Sequence, residues 1–129
     1  MAADPRARQI GGVAPRILIV DDHPSFRAAA RALLEAEGYV VVGEAVDGAS
    51  AVLRAGDLAP DVVLLDVQLP DIDGFEVAAR LRAAGASAVV VLTSSHDASD
   101  FGPLAQLCGA RGFVPKAELS GDGLTALLA

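Results

Sequence analysis

Three carboxylates, a hydroxyl and an amine stand at suggestive points of this chain: Asp21 and Asp22, Asp66, Thr93 and Lys116. Carboxylates held close together repel one another, so such a group must keep a proton or bind a cation. Mg²⁺ suits carboxylate and carbonyl oxygens, so Asp22, Asp66 and the main-chain carbonyl near Gln68 make a partial shell, with Asp21 holding a water ligand. An Asp beside a metal, an amine and a hydroxyl is suited to accept a phosphoryl group. Asp66 would be the nucleophile, already ionised near neutral pH and in no need of a helper base. The metal and Lys116 would neutralise charge on the transferring oxygens, and Thr93 would donate a hydrogen bond to one of them. The chain has nine arginines and one lysine, so Lys116 marks a place where a compact point charge on a flexible stem is wanted.

These residues can meet only if the elements before them deliver them to one edge. Val62 to Leu65 is a continuous apolar run, the mark of a strand buried on both faces of a parallel sheet, and it hands over to Asp66 (β3). Pro70 and the Asp71-Ile72-Asp73-Gly74 turn keep that strand from continuing. Arg16 to Val20 (β1) stops in the same way at Asp21-Asp22, before His23-Pro24. Apolar residues at helical spacing from Pro24 to Glu37 give α1, with Gly38 as its C-cap, and Val-rich Tyr39 to Ala45 gives β2. A short α2 runs from the Asp47-Gly48 turn to about Gly56. Asp73 caps α3, which reaches about Ala84, and Glu76 completes a capping box. Ala88 to Leu92 is β4, ending in Thr93-Ser94-Ser95; α4 spans about Ala98 to Cys108; Arg111 to Val114 is β5, closed by Pro115-Lys116. Gly121 and Gly123 leave only Leu124 to Leu128 as a helical turn of α5. Five βα alternations predict a doubly wound α/β fold, a parallel sheet with helices on both faces. In such folds ligands bind at the carboxyl ends of the strands, where all five functional residues lie.

At 129 residues the chain is one domain's worth, and with 53% hydrophobic but only 4% aromatic residues its core must be Ala, Val and Leu. A net charge of −7 with scattered arginines argues against direct nucleic-acid binding by this segment. Cys108 is alone, which excludes an internal disulfide and a cysteine zinc site and points to a reducing cytoplasm. No apolar run approaches a membrane span, and no signal-peptide core follows Met1. Met1 to Pro15 is polar and aperiodic and reads as a flexible tail.

With these residues assembled, the chain resembles the receiver domain of two-component response regulators. The resemblance rests on Asp21-Asp22, on Leu65-Asp66 followed by Leu69-Pro70 and Asp73-Gly74, on Leu92-Thr93-Ser94, and on Gly109-Ala110 with Gly112-Phe113 and Lys116. It implies a five-stranded sheet in the order 2-1-3-4-5, a flavodoxin-like three-layer sandwich, with residues 16–129 as the receiver domain, the tail at 1–15, and no output domain. It further implies that Asp66 takes a phosphoryl group from a sensor histidine kinase or phosphotransfer protein. Asp21, Asp22, Asp66 and the Gln68 carbonyl would hold Mg²⁺, Thr93 and Phe113 would act as the switch, and Gln68 and Ser95 would tune dephosphorylation. The α4-β5-α5 face would carry the output, through a partner or a homodimer. Asp-Asp-His-Pro-Ser-Phe-Arg27 and a Lys116 followed by Ala117, where the family commonly has a cis proline, are similar to the NarL/FixJ subclass.

The plainer readings are a cap for Asp73, a solvated loop for Asp71, loop histidines for His23 and His96, core packing for Cys108, and a structural Tyr39. A haloacid-dehalogenase phosphatase would need Asp-x-Asp after β1, and a dinucleotide-binding domain a Gly-rich turn there; neither is present. The alternative is a phosphorylation-independent interaction module of the same fold, which loss of Asp66, Thr93 or Lys116 would have favoured; all three are kept.

Overall fold

The structure is a computed structural model that describes residues 14–95 and 107–128. Its five strands are β1 Arg16–Val20, β2 Val40–Ala45, β3 Val62–Asp66, β4 Val89–Ser94 and β5 Gly112–Pro115, all parallel and ordered β2-β1-β3-β4-β5. The expected topology is therefore the observed one. Every residue of β3 is buried, as its unbroken apolar run requires of the middle strand.

Alternation along the strands divides the core in two. Leu18, Val20, Val63, Leu65 and Leu92 face α2 (Gly48–Leu58) and α3 (Gly74–Ala83), meeting Ala51, Ala55, Val77 and Leu81. Ile17, Ile19, Val62, Leu64 and Val91 face the other way, toward α1 (Pro24–Ala36) and α5 (Gly121–Leu128), where Ala30, Leu34 and Leu124 lie. Cys108 is buried in the first layer, as expected of a core residue.

Several boundaries differ from the sequence expectation, each for a local reason. Helix α2 runs past Gly56 to Leu58, where Arg16 donates to the Leu58 and Ala59 carbonyls at 2.8 Å each, and Ala59 turns the chain at φ +46°. Strand β4 continues through Thr93 and Ser94, because Asp66 pairs with Thr93 and Ser94 with Pro115. Helix α5 is a full helix from Gly121: Ser120 Oγ accepts the Gly123 N–H at 2.9 Å, and a Cβ on Gly121 would lie 2.4 Å from Glu37 Cγ, so the glycine permits close approach to the end of α1. Tyr39 OH meets Thr125 Oγ1 on that helix. Pro15, assigned to the tail, is buried and its carbonyl accepts the Val40 N–H at 2.9 Å. The rest of the tail, His96 and nearly all of the expected α4 lie outside the described residues.

Candidate functional site

Four strand ends converge as expected. Asp21 follows β1 directly and is fully buried; its N–H is held by the Ala45 carbonyl of β2 at 3.0 Å. Asp66 is the last residue of β3 and is 2% exposed, and Thr93 beside it in β4 is fully buried. Lys116 opens a 3-10 turn, Lys116–Glu118, directly after β5, and among the described residues no peptide bond is cis. Its ammonium lies 2.5 Å from Asp21 Oδ2 and 3.2 Å from Asp66 Oδ2, so one cation bridges two strand-end carboxylates. Asp66 Oδ1 accepts the Gln68 N–H at 3.1 Å. The side chain of Asp22 stands at the rim, about a third exposed at 35%.

Burial above all, and then the neighbouring Asp21 charge, push the Asp66 carboxyl above its usual range, against the Gln68 N–H and Lys116, which pull it down. Burial would depress the Lys116 amine, but its contacts with Asp21 and Asp66 outweigh that and hold it above its ordinary value. The ammonium therefore stays charged at neutral pH.

Asp21, Asp22, His23 and Asp66 each place one potential ligand atom within 4.8 Å of the others. Three carboxylates against one ammonium leave the site negative. The three carboxylates are hard oxygen donors, which suit a divalent cation such as Mg²⁺, whereas the imidazole is not a ligand that Mg²⁺ favours. Thr93 Oγ1 is buried with no hydrogen-bond partner. A native fold rarely leaves a buried hydroxyl unpaired without a use for it.

Two plainer readings require correction. His23 is not remote from the site: its Nδ1 lies 3.0 Å from Asp21 Oδ1 and 3.1 Å from Asp22 Oδ1, because Pro24 opens α1 immediately and leaves the ring at the pocket mouth. Asp71 is not simply solvated: its carboxylate accepts the Gly48 and Ala49 N–H groups at 2.7 and 2.9 Å, capping α2 from another loop. Those N–H groups hold its pKa down to about 2. Asp73 does cap α3, accepting the Glu76 N–H at 2.8 Å, but the Glu76 carboxylate pairs with Arg80 at 3.3 Å.

Sequence reasoning missed Phe26 and Arg27. The Lys116 ammonium sits 4.6 Å from the Phe26 ring centroid, a cation-π contact that helps to fix the lysine. Arg27 Nη1 donates to the Asp21 carbonyl at 2.7 Å. Their signal was position: both fall in the first turn of α1, directly over the Asp21-Asp22 pair. Phe113 is half-buried on β5 against the apolar layer shared with Leu92, while Gln68 and Ser95 are exposed.

The model of the response regulator receiver domain matches residues 17–128. A protein of Pseudomonas aeruginosa described as a transcriptional regulator is 43% identical over 103 residues, which make up 80% of this chain and 50% of that protein. The DNA-binding transcriptional activator EvgA of Escherichia coli K12 is 37% identical over 101 residues, 78% of this chain and 50% of its own. The chain thus spans about half the length of the curated relatives it matches. Among solved structures, the signal receiver domain of the response regulator NarL from Mycobacterium tuberculosis superposes with a TM-score of 0.80 at 37% identity, covering 90% of this chain and 98% of that one.

Proposed function

This chain belongs to the response regulator receiver domain family, and on that premise we propose that Asp66 is the phosphoacceptor of a two-component system, charged by the phosphohistidine of a sensor histidine kinase or phosphotransfer protein. The observation that carries the reading is the meeting of Asp66, Asp21 and Lys116, with Thr93 paired beside Asp66 in β4 and its buried hydroxyl without a partner.

In the transfer, a carboxylate oxygen of Asp66 forms a bond to phosphorus as the phosphorus–nitrogen bond of the donor breaks, and the electron pair leaves with the imidazole. Lys116 stays protonated and faces oxygens that gain charge. Thr93 Oγ1 gains an acceptor in the phosphoryl group and loses its status as an orphan. Asp21, Asp22, Asp66 and the Gln68 carbonyl would hold Mg²⁺, which when bound neutralises the carboxylates and the transferring oxygens. His23 stands close enough to orient Asp21 and Asp22 through its Nδ1.

Thr93 and Phe113 are the switch pair in this reading, since β4 and β5 link them to the α4-β5-α5 face, where a partner or a second copy would dock. Gln68 and Ser95, both exposed, would govern access of water to the phosphoaspartate and so its lifetime. Among the described residues no helix is long and apolar enough to cross a membrane, in keeping with a cytoplasmic site of action.

Intact mass after incubation with Mg²⁺ and acetyl phosphate tests the reading. A gain of one phosphoryl mass is expected, dependent on Mg²⁺ and absent in Asp66→Asn. No gain under conditions that label a known receiver would instead favour the phosphorylation-independent interaction module.

A further inference from the structure

Both main-chain polar groups of Asp21 are held, one in the peptide before it and one in the peptide that joins it to Asp22. The N–H of Asp21 goes to the Ala45 carbonyl at 3.0 Å. Its carbonyl receives Arg27 Nη1 at 2.7 Å, and Arg27 Nε is itself bound to Glu44 Oε1 at 3.0 Å. Glu44 precedes Ala45 in β2, so both anchors come from one strand end. A peptide unit is planar, so fixing the Asp21 carbonyl also fixes the Asp22 N–H and narrows the directions in which the Asp22 side chain can leave the chain. The Arg27 side chain is only 15% exposed, and its fork spends separate nitrogens on the carbonyl and the carboxylate. Burial would raise the Glu44 carboxyl, but Arg31 and Arg27 together hold it below the usual range, so the pair is ionised at neutral pH.

We propose that Arg27, anchored by Glu44, is a positioning residue that holds the Asp21-Asp22 peptide in the orientation needed to bind a divalent cation. The inference rests on the Mg²⁺ reading above. It makes a prediction that runs against simple electrostatics: deleting a positive charge near a cation site should tighten cation binding through Coulomb's law, whereas loss of a positioning group loosens it.

Arg31 supplies the control. It donates to the other oxygen of Glu44, Oε2, at 2.8 Å and pairs with Glu35 at 3.6 Å, and it makes no bond to Asp21.

The experiment is a titration of the full ¹⁵N-labelled chain with MgCl₂, following the amide resonances of Asp22 and Gln68; spectral dispersion reports at once whether each variant is folded. Arg27→Met is expected to raise the Mg²⁺ dissociation constant about tenfold, while Arg31→Met leaves it at the wild-type value. If Arg27→Met does not fold, Arg27→Lys carries the test, because one ammonium cannot serve both Glu44 and the Asp21 carbonyl with a fork's geometry, and weaker binding is again expected. Wild-type or tighter binding in the folded Arg27 variant overturns the proposal, as does an equal loss in Arg31→Met. Absence of saturable Mg²⁺ shifts in the wild-type chain would instead remove the metal reading on which the proposal stands, and the proposal with it.

Discussion

Asp66 ends β3 and Asp71 lies in the loop that leads from it to α3, and their carboxyls are driven in opposite directions. Asp66 is buried beside a second carboxylate, and the fold pushes its pKa up. Asp71 lies on the surface, takes two N–H groups from the start of α2, and is held at about 2. Removing a carboxylate from water costs more than its contacts return, whereas leaving one in water at a helix N-terminus costs little and gains hydrogen bonds. The strand end is therefore held in a state that a cation would relieve, and the middle of the loop is an anchor. Gly74 joins the two regions: a Cβ there would come within 2.4 Å of the Asp66 carbonyl oxygen, so α3 can start only because this residue has none.

The largest expected effect separates the two residues entirely. Asp66→Asn should abolish phosphoryl acceptance in the intact-mass assay and, without divalent cation, melt at or above the wild-type temperature, since it removes a charge the fold disfavours. A lower melting temperature would mean that the Lys116 contact outweighs burial. Gly74→Ala comes next, with an expected loss of about 1–3 kcal/mol in denaturant unfolding, because backbone and not a flexible side chain meets the new methyl. An unchanged midpoint would show that the loop gives way at no cost.

Asp71→Ala should lower the melting temperature, and the sign of its pH dependence follows from the depressed pKa. A carboxyl at about 2 in the fold and near 3.8 in the unfolded chain stabilises fully above 3.8 and loses that contribution as the pH falls toward 2. The gap between wild type and Asp71→Ala, followed by circular dichroism, should therefore be constant near neutrality and close in acid; a gap independent of pH would assign the effect to something other than the carboxylate. Smallest is Asp73→Ala, a lost N-cap worth about 1 kcal/mol, with phosphoryl acceptance retained.

The strands and the strand-end residues were legible because buried parallel strands announce themselves as short apolar runs, and a polar residue closing each run has nowhere to go but the edge; the order of the strands came only from the family resemblance, since periodicity does not say which strands are neighbours. Asp21, Asp66, Thr93 and Lys116 were found in that way. What escaped were contacts between distant segments. Asp71 looks like any loop aspartate until α2 is laid beside it, and His23 like any histidine before a proline until α1 starts directly behind it. Phe26 and Arg27 have the helical spacing of packing and surface residues, and only the distances to Lys116 and to the Asp21 carbonyl reveal their second duty. Helix α5 was underread because two glycines lower helix propensity, yet the Ser120 cap and the close approach to Glu37 override it.

Cys108, the chain's one thiol, is buried in the layer that Phe113 and Leu92 also border. It also lines a cavity with Ala78, Leu81, Arg82 and Gly109, so the rate at which a sulfhydryl reagent reaches it depends on how far that wall opens. Its modification rate is thus a built-in clock for the breathing of the half of the sheet formed by β4 and β5.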